Sequence, residues 1–192
     1  MDNKMIILQC AKELFYLKGY DAVGVQEIVD RAGITKPTLY YHFGSKLGLL
    51  KTLMEMNFSH LQELIEKISV PGLRIEEVLY QLADAYCEFF ERDRQFYMLM
   101  MSLFYSAREN EAHQVVRPYV IKFYSMVVKT FEQASDQLGN MHGRQKEFAL
   151  GFIGTINHYL LQLCESDTEN KVKIDKEKIQ ALVNQFMYGI FS

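Results

Sequence analysis

The sequence predicts an all-α protein, with an N-terminal three-helix domain followed by a larger helical one. Apolar residues recur at three- and four-residue intervals over most of the 192-residue chain, with little strict alternation. Prolines stand only at 37, 71 and 118, so long helical stretches are uninterrupted. Charge divides the chain as well: the first 56 residues carry a net +1 and the remainder −4. Any surface for a polyanion therefore belongs to the first part.

The elements follow in order. Ile7, Ala11, Leu14 and Phe15 form the stripe of a first helix, and Gly19 supplies a residue at which it can stop. Val25, Ile28, Val29 and Ala32 form one face of a short second helix, closed by Gly33. Thr35 is suited to cap a third helix, with Pro37 in its first turn, where a missing N–H costs little. A long helix carries Leu49, Leu53, Phe58, Leu61, Ile65 and Ile68, and Ser69-Val70-Pro71-Gly72 is expected to turn. Further helices are expected over 74–92, 95–107, 112–138, 144–165 and 175–190, with breaks at Gly139-Asn140 and in SDTENK at 166–171.

The third helix raises the functional question. At about 100° per residue, Leu39 and Phe43 share the inner side, while Pro37, Thr38 and Tyr41 point away and Lys36, Tyr40 and His42 lie on the flanks. Ile34 plugs the turn between the second and third helices. A helix, a tight turn opened by glycine and a second helix form a helix-turn-helix, whose second helix enters the DNA major groove. From Arg31 to Met54 the chain has Arg31, Lys36, Lys46 and Lys51 and no Asp or Glu, although 24 acids occur in the whole chain. A carboxylate there would repel phosphate. This geometry puts Pro37, Thr38 and Tyr41 on base edges and Lys36, Tyr40, His42 and Lys46 on phosphates, and Thr35, which caps the helix, is counted with them among the DNA-binding residues.

The run YDAVGVQEIVDRAGITKPTLYYHFGSK resembles the DNA-binding domain of the TetR family of bacterial regulators. The likeness extends from about Ile7 through Leu50 and includes Leu14-Phe15, Gly19-Tyr20, Ala32-Gly33, Leu39-Tyr40 and His42-Phe43. It implies DNA contacts for Lys36, Pro37, Thr38, Tyr40, Tyr41 and His42 and a phosphate contact for Lys46. Two positions depart from the family pattern: Gly24 stands where a hydroxyl residue often caps the second helix, and Leu47 where an acid often follows the lysine. The expected domains are 1–46 for DNA binding and 47–192 for effector binding and dimerisation.

In the second domain the middle helices are rich in aromatic residues and methionine. Most of these must be core, but methionine and tyrosine also line adaptable pockets. The resemblance implies a small effector among these helices. Tyr86, Phe90, Tyr97, Met101, Tyr105, Tyr124, Asn157 and His158 are the candidate contacts, and an apolar or aromatic effector fits this composition. Near the C-terminus, Phe152, Ile156 and Leu160, and then Leu182 and Phe186, are candidate dimer-interface residues, with Gly151 and Gly154 permitting close approach. The family implies a homodimer that reads two half-sites of a palindromic operator.

Other chemistry finds little footing. GFIGT at 151–155 is no phosphate-loop fingerprint, and neither GxSxG nor HExxH occurs. Cys10, Cys87 and Cys164 have neither disulfide nor zinc spacing, and the histidines show no metal-ligand spacing. No cofactor or metal is expected. The apolar run before Gln9 is too short for a signal-peptide core, and YMLMMSLFY at 97–105 falls below a membrane span. The expectation is therefore a non-enzymatic cytoplasmic transcriptional regulator, most simply a repressor released by its effector. The competing expectation is a ligand carrier or structural dimer that has lost DNA binding.

Overall fold

The structure is a computed structural model that describes residues 2–68, 72–139, 141–166 and 173–189. These residues form α1 (Asn3–Lys18), α2 (Val25–Ala32), α3 (Lys36–Phe43), α4 (Lys46–Glu66), α5 (Ile75–Arg92), α6 (Arg94–Phe104), α7 (Glu111–Gln133), α8 (Gln145–Ser166) and α9 (Lys176–Tyr188). No strand occurs among them. The all-α class is as the periodicity predicted. α7 stops at Gln133, five residues short of the expected end, because Gln137 is committed elsewhere: its amide accepts from the Ile75 N–H and donates to the Leu73 carbonyl, at 2.9 Å each. The expected breaks at 69–71, at Asn140 and over 167–172 lie outside the described residues, as does Ile190.

The chain forms two compact units. The first comprises 1–59 and 93–120, and the second 60–92 and 121–192. In the first, α1 packs on α2, α3 and α6. Its core holds Ile7, Ala11, Phe15, Tyr20, Ile28, Leu39 and Leu49, all at most 2% exposed. α6 joins through a buried ion pair: Lys12 Nζ donates to Asp93 Oδ2 at 2.5 Å, with Lys12 only 7% exposed. The other carboxylate oxygen of Asp93 caps α6 by accepting from the Phe96 N–H. A buried ammonium is tolerated only when so paired.

In the second unit α5 packs on α8 and α9, and α8 on α9. Its centre is a cluster of Phe131, Phe148, Phe152 and Phe186, with edge-on ring contacts at 5.5–6.4 Å. Such tilted contacts suit the ring quadrupoles. Among the described residues no helix is long and apolar enough to cross a membrane.

Candidate nucleic-acid interface

The interface begins with a turn that only glycine makes cheaply. Gly33 takes φ 66°, ψ 33°, the left-handed region, and closes α2 while the Ile34 N–H bonds back to the Val29 carbonyl at 3.0 Å. α3 starts three residues after Gly33, at Lys36. Thr35 occupies its N-cap position with its hydroxyl 3.0 Å from that of Thr38, and Pro37 sits in the first turn. Leu39 is fully buried and Phe43 nearly so, which anchors one side of α3. On the other side Lys36, Pro37, Tyr40 and Tyr41 are exposed, Tyr41 to 86%, while Thr38 and His42 are half-buried. Tyr41 and His42 rest edge to face at 5.2 Å.

α3 ends at Gly44, φ 71°, and the chain turns directly into α4. Ser45 caps α4 by accepting from the Gly48 N–H at 2.9 Å. The corner is so tight that a Cβ on Gly48 would lie 2.0 Å from the Phe43 carbonyl oxygen. Glycine is needed there for close approach, not for its dihedral freedom.

The four cations of the acid-free run do not behave alike. Arg31 is neutralised by Glu13 of α1, at 2.5 Å. Lys46 is half-buried; its ammonium donates to the carbonyls of Tyr20 and Val23, at 3.0 Å each, and lies 4.1 Å from the centre of the Tyr20 ring. Two of its three N–H groups are thus used inside the fold. Lys36 and Lys51 are exposed. Behind this face the Tyr20 hydroxyl donates to Glu111 at 2.7 Å. Burial, and then the Glu111 carboxylate, push the Tyr20 hydroxyl well above the ordinary phenol range, so it remains the donor.

The effector candidates separate. Tyr97 and Met101 are buried in the core of the first unit, and Tyr105 is 70% exposed at the end of α6. In the second unit Tyr86 and Asn157 do come together, with the Tyr86 hydroxyl 3.4 Å from Asn157 Oδ1 and the Tyr86 ring stacked on Phe123 at 4.6 Å. Phe90 is buried, and the Tyr124 hydroxyl donates to the Lys146 carbonyl. The open cavities among the described residues of this unit include two. One of about 410 Å³ runs between α8 and α9, past His158, Thr155 and Gln162. The other, of about 420 Å³, is walled by Ile75, Phe131, Met141, Phe148 and Met187, with Glu76 as its carboxylate. Of the eight effector candidates only His158 lines either. The walls missed from sequence come from four helices, and no local spacing reports that convergence. Among the described residues no three His, Cys, Asp or Glu side chains group so as to hold a metal ion.

The dimer candidates divide likewise. Phe152, Ile156 and Leu160 are at most 3% exposed within a single chain, so they belong to its own core. Leu182 and Phe186 are half-buried. The apolar surface that α8 leaves open is instead Leu150, 65% exposed, with Gly154 and Leu161 one and three turns on.

Residues 7–53 match the profile of bacterial regulatory proteins of the tetR family. The chain is similar to the helix-turn-helix transcriptional activator FasR of Mycolicibacterium smegmatis, 34% identical over 109 residues, which cover 57% of this chain and half of FasR. It is 26% identical over 196 residues to the helix-turn-helix regulator YdgC of Bacillus subtilis, covering 99% of this chain and 93% of that one. The structure of the Bacillus subtilis regulator FadR in complex with stearoyl-CoA shares the fold, with a TM-score of 0.76 at 18% identity over 97% of this chain and 98% of that one. The matched segment is the helix-turn-helix whose anchored α2–α3 pair and exposed α3 face are described above, so this part of the chain is similar to the DNA-binding segment of bacterial regulatory proteins of the tetR family.

Proposed function

We propose that the protein is a homodimeric repressor that binds a palindromic operator through α3 and is released by a small molecule held in its second unit. The observation that carries the reading is α3 itself, fixed from behind by Leu39 and Phe43 and presenting Lys36, Pro37, Thr38, Tyr40, Tyr41 and His42 outward. Thr38, Pro37 and Tyr41 read base edges, while Lys36, Tyr40, His42 and the remaining N–H of Lys46 hold phosphates. Functionally, 1–46 reads DNA and 47–192 senses and dimerises. A cytoplasmic location follows from that role.

A single α3 covers only a few base pairs, so a second copy supplies the other half-site. The partner copy meets Leu150, Gly154 and Leu161, with Leu182 and Phe186 beside them. The effector is a mainly apolar molecule, in keeping with the phenyl-lined cavity and the Tyr86–Asn157 pair. FadR holds stearoyl-CoA, which makes a fatty acyl thioester the first compound to try. Release is linkage: a ligand that binds one subunit arrangement better weakens operator binding, and operator weakens ligand binding by the same factor.

The test is selection from a random duplex library with ligand-free protein at moderate salt. Enrichment of a palindrome with regularly spaced half-sites is expected. Uniform weak retention with specific binding of an apolar ligand would sink this reading and leave the carrier in its place.

A further inference from the structure

Lys46 is an unusual candidate for a phosphate contact, because most of its hydrogen-bonding capacity is already used. Its ammonium is held by the carbonyls of Tyr20 and Val23 and by the face of the Tyr20 ring. A lysine on a four-carbon stem would otherwise sample many positions. Here the α1–α2 turn confines it, the residue is only half-buried, and one of its three N–H groups is not used by the two carbonyls.

Tyr20 supplies both a carbonyl and the ring, and it is itself buried to 2% exposure against Phe15, with ring centres 5.0 Å apart. Its hydroxyl is tied to Glu111, the first residue of α7. The next residue of the turn is tied to the same place: Asn110 donates to Asp21 at 2.6 Å. The turn that grips Lys46 is thus fastened by two consecutive side chains to the start of α7, about 90 residues away in sequence. Lys46 in turn opens α4 two residues after α3 ends at Gly44.

We propose that Tyr20 is a positioning residue for operator binding, which aims the Lys46 ammonium at a DNA phosphate and is itself held in place by Glu111. The inference rests on the DNA-binding reading above. Tyr20→Phe keeps the ring and the backbone carbonyls and removes only the hydroxyl tie. With that tie gone the turn keeps only the Asp21–Asn110 bond to the start of α7, and the carbonyls and ring that aim the ammonium are held less tightly.

The experiment measures binding to the selected duplex over a range of salt concentrations for wild type, Tyr20→Phe, Lys46→Met, the double variant and Glu111→Gln. Tyr20→Phe is expected to weaken binding on the order of 10-fold and to flatten the salt slope by close to one released counterion, about 0.9. Lys46→Met should do the same, and the double variant should be no worse than Lys46→Met alone. Glu111→Gln keeps an acceptor for the hydroxyl and should stay near wild type. Thermal unfolding of each variant separates loss of fold from loss of aim. A Tyr20→Phe protein with a lowered melting temperature but wild-type affinity and slope would overturn the proposal, as would effects that multiply in the double variant. Wild-type protein that binds no duplex would instead overturn the DNA-binding reading itself.

Discussion

Lys36 and Lys46 sit ten positions apart in one acid-free run, yet the fold gives them different work. Lys36 is exposed at the first position of α3, where a cation gains nothing from the helix dipole. On the proposed reading its contribution is to phosphate alone. Lys36→Ala is therefore expected to flatten the salt slope of operator binding by about 0.9 and to leave stability within about 0.5 kcal/mol of wild type. Filter binding across salt, paired with urea unfolding, checks both halves; a large stability loss would show that Lys36 has a packing role. Arg31 shows the limit of charge read along a sequence, since Glu13, eighteen residues upstream, cancels it. Cys87 makes a similar point for reactivity. Burial, and then Asp84 and Glu91, push its thiol up to about 12, so the thiolate is scarce at neutral pH.

At the scale of elements, the joint between α3 and α4 is the least tolerant place in the first unit. A methyl on Gly48 meets a backbone oxygen that cannot rotate away. Gly48→Ala is expected to destabilise the protein by about 1–3 kcal/mol and to displace α3, so that operator affinity falls far more than the loss of stability alone explains. Urea unfolding and duplex titration measure the two effects; an unaltered affinity would mean that α3 is placed by α2 and not by this corner. The helices themselves were legible from local pattern. Leu39 and Phe43 were readable as the anchor of α3, and Gly33 as the stop of α2, because each depends on neighbours within a turn or two. Lys12 was not readable as buried, because the acid that permits it lies 81 residues away. For the same reason the aromatic run of α6 sent Tyr97 and Met101 into a packed core and not a cavity. Apolar periodicity marks an inward face but not what lies inside it. Phe152, Ile156 and Leu160 were misassigned to a partner surface on the same ground, since one chain's core and two chains' seam look alike in sequence.

For the whole molecule, the proposed reading requires two copies, and the exposed side of α8 offers the means to test that. Leu150 contributes little to the fold at 65% exposure, so Leu150→Glu should leave each protomer folded while placing like charges across the proposed seam. Light scattering is expected to show a shift from dimer to monomer, with operator binding lost in parallel; a dimer that persists would move the interface elsewhere. The interleaved first unit has a consequence for engineering. DNA-reading heads invite exchange between regulators, and on the proposed reading a cut near residue 46 is the seam by function. Such a cut would carry Lys12 away from Asp93, and Tyr20 and Asp21 away from Glu111 and Asn110. A transplant that respects the packing takes residues 93–120 along with 1–59, so the head is portable only as two pieces of chain.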